Sequence, residues 1–81
     1  MMTITLIAYG IAKDIIGGKK REFTIPDGST IQHLKEILVE QFPSFATLRS
    51  LSFAVGVEYQ DDQYTLSPGD VVVLIPPVAG G

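Results

Sequence analysis

The sequence of 81 residues contains no cysteine. Disulfide bonds, zinc sites built on thiolates, CxxC redox chemistry and a cysteine nucleophile are therefore excluded. Any sulfur chemistry has to use sulfur that another molecule supplies. A chain of this length supports one domain, and that domain has to be stabilised by one compact core without a covalent staple.

Basic residues are also few, with six Lys and Arg against nine Asp and Glu, so that the formal net charge is −3. Neutralising a phosphate backbone requires clustered cations, and no nucleic-acid partner is therefore expected. The only basic cluster is Lys19, Lys20 and Arg21. A run this short is typical of a hairpin end that faces solvent.

Long apolar runs are missing as well, because a membrane-crossing helix needs about 20 apolar residues and no segment comes near that length. The N-terminus has neither the positive region nor the cleavage site of a signal peptide, and we expect a cytoplasmic protein with no membrane partner. The chain is nevertheless 46% hydrophobic with a mean hydropathy of +0.30. This exceeds what so small a core needs, so some apolar surface is expected to face a partner.

Alternating apolar and polar residues predict the strands. Residues 2–9 place Ile4, Leu6 and Ala8 on one face, which is the period of a strand. Residues 10–18 are predicted to form a connection with a turn or two of helix. Further strands are predicted at 19–25, 51–55 and 71–75, with a polar turn at 60–63 and a tight turn at 66–70.

One amphipathic helix is clear. Either Ser29 or Thr30 can cap its first turn, and Ser29 with Gln32 has the spacing of a capping box. Pro43 ends the helix, because the residue before a proline is pushed out of the α region. The apolar stripe that is expected to pack on the sheet consists of Ile31, Leu34, Ile37, Leu38 and Phe42.

The last strand, 71–75, is apolar throughout, which predicts burial on both faces in the middle of the sheet, beside the first strand. The order strand, strand, helix, strand, short elements, strand predicts an α+β fold in which a mixed sheet wraps around one main helix, the β-grasp or ubiquitin-like roll. The domain is expected to span residues 1–75, with residues 76–81 as an extended C-terminal tail.

Few residues qualify as a catalytic or metal site. His33 is the only histidine and is expected to be a surface or half-buried helix residue, because no partner for acid–base work is visible. Asp61 and Asp62 are adjacent and point apart on an extended backbone, so no metal site is expected. Three tyrosines are expected to be ordinary strand or turn residues, with a partner contact as the alternative: Tyr9, Tyr59 and Tyr64.

The C-terminal tail is the segment that differs from ordinary domain construction. Pro76 and Pro77 fix φ and favour polyproline II, which projects the following residues away from the body by up to roughly 18–20 Å. Val78 and Ala79 then taper to bare backbone at Gly80 and Gly81, which a narrow tunnel can admit. The alternative of an unstructured end that happens to be small stays open.

At the tip of the tail is the α-carboxylate of Gly81, with no side chain beside it. A carboxylate is a poor electrophile until its oxygen becomes a leaving group, and attack on the α-phosphate of ATP converts it into an acyl adenylate. The tail is therefore predicted to be a substrate for another protein.

The ending IPPVAGG, at 75–81, and the preceding LSPGDVV, at 66–72, resemble the ubiquitin-like sulfur-carrier family, most closely the small subunits of molybdopterin synthase. The resemblance extends over essentially the whole chain, although the matches at 4–8 and 30–38 are generic to the fold. Two positions depart from the family pattern. Lys13 and Asp14 stand where Arg and Glu are common, which loses bidentate carboxylate binding, and Gly56 stands where Asn is common.

This resemblance implies a carrier cycle. An adenylating enzyme uses ATP and magnesium to activate Gly81, and a persulfide-bearing sulfurtransferase then leaves a C-terminal thiocarboxylate. The tail next enters the large subunit of molybdopterin synthase, where sulfur passes to cyclic pyranopterin monophosphate and builds the dithiolene of molybdopterin. Gly80 keeps the passage narrow, and Pro76 and Pro77 aim the tail.

The same resemblance implies a subunit that binds no cofactor and supplies no general acid or base, within a dimer of heterodimers, or heterotetramer, whose large subunit does the chemistry. Three alternatives stay open: a carrier for thiamine thiazole synthesis or tRNA thiolation, a ubiquitin-like modifier joined through Gly81 to lysines, and a binding module whose tail is idle.

Overall fold

The computed structural model of the chain describes residues 1–47 and 51–76. Its elements follow the predicted order and include the short helix expected within 10–18. Two elements were not predicted, a 3₁₀ helix after the main helix and a short strand at Glu58–Gln60. The elements are β1 (Met2–Ala8), α1 (Gly10–Ile16), β2 (Lys20–Ile25), α2 (Ile31–Gln41), a 3₁₀ helix (Pro43–Thr47), β3 (Ser52–Val55), β4 (Glu58–Gln60) and β5 (Val71–Ile75).

The five strands form one sheet in the order β2-β1-β5-β3-β4. The β1–β5 pair is parallel, while β1–β2, β3–β5 and β3–β4 are antiparallel. The sheet is therefore mixed, and the last strand lies in its centre beside the first, as predicted. This arrangement confirms the β-grasp fold expected from the order of the elements.

One face of the sheet, here called the core face, packs against both α-helices. Residues Leu6, Val72, Leu74 and Phe53 lie on this face in adjacent register positions, and all are buried. Helix α2 buries Ile31, Leu34 and Leu38 in the same cluster, and α1 adds Ala12 and Ile16. Removing these apolar side chains from water is the main stabilising term for so small a domain.

The start of α2 corrects one sequence prediction. Thr30 is the N-cap, and its Oγ1 accepts a hydrogen bond from the backbone N–H of His33 (3.3 Å). The Nδ1 of His33 accepts one from the backbone N–H of Thr30 (3.2 Å), which completes a capping box. The predicted Ser29–Gln32 box is wrong because Ser29 is buried one position earlier and its Oγ donates to the carbonyl of Pro26.

The burial of β5 corrects a second prediction. Val72 and Leu74 are fully buried, but Val71 is 42% exposed, and Val73 and Ile75 are only half-buried. The strand is therefore central without being covered on both faces. An unbroken apolar run predicts two buried faces only where helices flank the sheet on both sides, whereas α1 and α2 both pack on the core face.

Other features concern the ends of the helices. Helix α2 ends at Gln41, before Pro43, as expected, and residues Pro43–Thr47, for which no helix was predicted, form the 3₁₀ helix. The connection 10–18 contains the predicted short helix, seven residues long and closed by Gly17 in the left-handed conformation (φ +83°). A left-handed residue at this position is a common helix terminator, and glycine adopts it without steric cost.

Candidate functional site at the root of the tail

The candidate site begins where β5 ends. Pro76 is half-buried and lies against Gly10, the first residue of α1. A Cβ built on Gly10 would lie only 3.3 Å from Cγ of Pro76, and Gly10 has φ +56°, a conformation that side chains disfavour. A glycine at position 10 therefore leaves room for the proline ring at the root of the tail.

The strand that leads to Pro76 is held on both sides. Leu74 pairs with Ala8 in the parallel ladder to β1 and with Phe53 in the antiparallel ladder to β3. Ile75, the residue before Pro76, pairs with Ser52 of β3. The root of the tail is thus an extension of the central strand, which gives the tail a fixed starting point on a rigid body.

The other side of the sheet, here called the outer face, is apolar along its centre. One row across it runs through Ile7, Val73, Ala54 and Tyr59, which are neighbours in register. Val71 (42% exposed) and Tyr59 (69% exposed) are large apolar side chains of this face that solvent reaches. No helix of the described residues packs there, so apolar surface is available next to the root of the tail.

Most of the predicted site residues lie outside the described part of the chain. These are Pro77, Val78, Ala79, Gly80 and Gly81. Their predicted roles, from aiming the tail to bearing the activated carboxyl group, stay predictions. Of the predicted tail, Pro76 alone has a described position, and its contact with Gly10 is the geometry on which the site is built.

The other candidates are placed in structural roles or on the surface. His33 acts as a capping residue, and Asp62 pairs with Nζ of Lys35. Asp61 accepts a hydrogen bond from the backbone N–H of Gln63. Among residues 1–47 and 51–76, no group of three or more His, Asp or Glu side chains is arranged to hold a metal ion. None of the described helices has the length and apolar character needed to span a membrane.

Two features of the site were missed from the sequence alone. Gly10 gave no signal beyond an ordinary turn, because its contact with Pro76 depends on the parallel pairing of two strands that lie far apart in the chain. The outer face could have been found, since Ile7 alternates with the predicted core positions Leu6 and Ala8. A single-faced β5 would then have placed Val71 and Val73 beside it.

The sequence matches the ThiS family over residues 7–81. It is 32% identical over 79 residues to a molybdopterin synthase sulfur carrier subunit of Arabidopsis thaliana, covering 96% of this chain and 82% of that protein. A protein of the same name from Homo sapiens is 27% identical over 82 residues, which covers 96% of this chain and 93% of the human one.

Solved structures agree in fold. A putative molybdopterin converting factor subunit 1 from Pyrococcus furiosus superposes with a TM-score of 0.87 at 21% identity, over 96% of this chain and all of that one. A chain from the complex of subunits 1 and 2 of the molybdopterin-converting factor of Helicobacter pylori superposes with a TM-score of 0.68 at 25% identity. The match covers 99% of this chain and 100% of that one. The small archaeal modifier protein 1 of Methanosarcina acetivorans gives 0.80 at 13%, covering 100% and 98%. With a family match over nearly all of its length and this fold, the chain belongs to the ThiS family.

Proposed function

We propose that this chain is the sulfur carrier subunit of a molybdopterin synthase and that it bears the sulfur as a thiocarboxylate on Gly81. The observation that supports this most strongly is the similarity to the carrier subunit of Arabidopsis thaliana, at 32% identity over 96% of the chain. The ending at 75–81 and its attachment to the central strand fit the same role.

The proposed cycle begins with activation. A carboxylate oxygen of Gly81 attacks the α-phosphate of ATP, pyrophosphate leaves and an acyl adenylate forms on the adenylating enzyme, with magnesium bound to the nucleotide. The terminal sulfur of an enzyme persulfide then attacks the acyl carbon and AMP leaves. A thiol then cleaves the S–S bond of the resulting acyl disulfide and supplies the two electrons for this reduction. The thiocarboxylate stays on the chain, and the thiol ends in a disulfide with the enzyme.

In the active site of the large subunit, the thiocarboxylate sulfur then bonds to a carbon of cyclic pyranopterin monophosphate, and water hydrolyses the resulting thioester, which leaves the sulfur on the pterin and restores the carboxylate of Gly81. A dithiolene contains two sulfur atoms and each tail holds one, so two loaded chains are consumed per product. This stoichiometry suits the proposed dimer of heterodimers. Because the activation step consumes ATP, we place the cycle in the cytoplasm.

The division of labour follows from the side chains of the described residues. The capping role of His33 and the Asp62–Lys35 pair give these groups structural partners within the domain. General acid–base catalysis needs a positioned group within hydrogen-bond reach of the reacting atoms. We therefore assign the catalytic groups to the large subunit, with the domain as a rigid support for the tail.

The outer face supplies the docking surface in this proposal. Its apolar row crosses β5, so a partner that receives the tail can cover Tyr59, Val71 and Val73 in the same contact. Burial of exposed aromatic and aliphatic side chains contributes most of the affinity in interfaces of this kind. The rigid root at Pro76 lowers the entropy lost when the tail is ordered.

Intact-mass spectrometry after co-expression with the adenylating enzyme and the sulfurtransferase tests this function. We expect the chain to gain the mass difference between sulfur and oxygen, at its last residue, and deletion of Gly81 to abolish the gain while thermal unfolding stays unchanged. Conjugates to lysine would instead indicate a modifier. A chain that stays unmodified in the presence of active enzymes would indicate a binding module and contradict the proposal.

A further inference from the structure

The positive charge of this acidic chain is concentrated in one segment. Residues 10–22 contain four of the six cations and two of the nine acids, the acids being Asp14 and Glu22, so the segment is net +2 while the rest of the chain is net −5. A short basic run on its own is ordinary solvated surface. The position of this segment in the fold and the contacts of its lysines indicate, however, that it can contact a partner.

Two lysines of this segment lie beside the root of the tail. Lys20, the first residue of β2, pairs with Ile7, and the carbonyl of Lys19 accepts a hydrogen bond from the N–H of Ala8 (2.7 Å). Ala8 in turn pairs with Leu74 of β5. Strands in a sheet are about 4.8 Å apart, so both lysines start roughly 10 Å from the strand that leads to Pro76.

Lys19 and Lys20 differ from Arg21 and Lys35 in what they contact, while Lys13 of α1 also forms no ion pair among the described residues. Arg21 donates from Nη1 to the carbonyl of Ile16 and stacks on Phe42, and Lys35 pairs with Asp62. Lys19 lies over the ring of Tyr9 (5.4 Å), which is itself 47% exposed. Within residues 1–47 and 51–76, neither Lys19 nor Lys20 forms an ion pair, so both charges remain available to a partner.

The opposite edge of the sheet is acidic instead, with Glu58 in β4 and Asp61 and Asp62 just after it. There, Asp62 is paired with Lys35, and Asp61 accepts from the backbone N–H of Gln63. The tail thus leaves the sheet between a basic edge, at Lys19 and Lys20, and an acidic edge. A protein that takes the tail must surround Pro76 and therefore come close to Lys19 and Lys20.

We propose that Lys19 and Lys20 form a basic docking edge that meets an acidic surface beside the entrance for the tail on the synthase large subunit. This inference rests on the proposed function. Opposite charges within a Debye length, about 10 Å at 0.1 M salt, raise the rate of productive encounter more than they raise affinity. The chain is acidic overall and has to approach its partner with the tail in front. A basic edge beside the tail root orients the chain during this approach.

The test is the association rate with the large subunit encoded in the same genome, measured by stopped-flow fluorescence at low and high salt. Lys19→Gln/Lys20→Gln is compared with Thr24→Glu/Val57→Glu, which lowers the net charge equally, from −3 to −5. Thr24 and Val57 are exposed and lie at the end of the sheet where β5 begins, away from the tail root. Lys19→Arg/Lys20→Arg preserves the charge and serves as the rescue variant.

We expect the Lys→Gln pair to slow association by about three- to tenfold at low salt and to flatten its salt dependence, while the control and the arginine pair stay within about twofold of wild type. Equal slowing by the Lys→Gln and Glu pairs would overturn the docking edge, because net charge alone would then explain the rates. Unchanged rates in both would overturn it too. If the wild-type chain fails to bind the large subunit, the proposed function fails with it.

Discussion

Gly10 and Pro76 lie in contact although 66 positions separate them in the chain, because β1 and β5 run parallel and both continue past their last paired residues. We predict that Gly10→Val, whose side chain would push against the proline ring, slows adenylation of the tail severalfold. The cause is a displaced tail root rather than a damaged core. The measurement is pyrophosphate release with the cognate adenylating enzyme.

Gly17→Val is the matched control for that prediction. Gly17 also has a positive φ (+83°), but nothing lies within 4 Å of the Cβ it would acquire. Both variants are expected to lose about 1–3 kcal/mol of stability from backbone strain, and only Gly10→Val is expected to slow adenylation. Equal adenylation rates for the two variants would show that the contact with Pro76 does not position the tail.

Leu74 and Val71 test the single-faced burial of β5. Leu74→Ala is expected to destabilise the domain by about 2–5 kcal/mol, because it leaves a cavity among fully buried neighbours. Val71→Ala removes a side chain that is 42% exposed and is expected to cost less than about 1 kcal/mol. Urea unfolding measures both. Similar losses at the two positions would mean that the outer face is covered.

The capping box of α2 indicates that His33 stabilises the start of the helix and is not a catalytic residue. Thr30→Ala is expected to lower the free energy of unfolding by about 1 kcal/mol, because it leaves the backbone N–H of His33 without its partner. His33→Ala is expected to cost less, and His33→Gln to restore part of the loss, since glutamine is a usual third residue of such boxes. Thermal unfolding and sulfur loading are measured together. Loss of loading in a stable His33→Gln variant would indicate a catalytic histidine.

Tyr59 is expected to be a main contact of the outer face. Tyr59→Ala should weaken binding to the large subunit by about tenfold or more, as exposed aromatic anchors do when truncated. Val57→Ala is the control on the same hairpin, because Val57 is 98% exposed and lies in the turn between β3 and β4. Isothermal titration calorimetry gives both affinities. An unchanged affinity in Tyr59→Ala would move the docking surface elsewhere.

The sequence was sufficient for the order of the four predicted strands and the main helix and for the central place of the last strand, because apolar periodicity and turn residues are local signals. It did not predict β4, which has only three residues. It was insufficient for the side of β5 that is buried, since the run VVVLI has no polar residue to reveal a solvent-facing side. It also left the cap open between Ser29 and Thr30, because both are equally good caps and only the fold decides which of them occupies the N-cap position.

The candidate site divides in the same way. The tail was recognisable from its prolines and glycines, which determine backbone behaviour directly. The space beside Gly10 that the Pro76 ring occupies and the basic edge at Lys19 and Lys20 depend on strands that meet only after folding. Their significance therefore needed the register of the sheet.

The most direct measurement of the central claim is a single-turnover reaction of the chain, loaded with isotopically labelled sulfur, with the large subunit and cyclic pyranopterin monophosphate. We predict that the label appears in the dithiolene of the pterin while the chain returns to its unmodified mass. Label that stays on the chain, or that reaches the pterin equally well from a loaded variant lacking the outer-face tyrosine and both edge lysines, would contradict delivery by a docked tail.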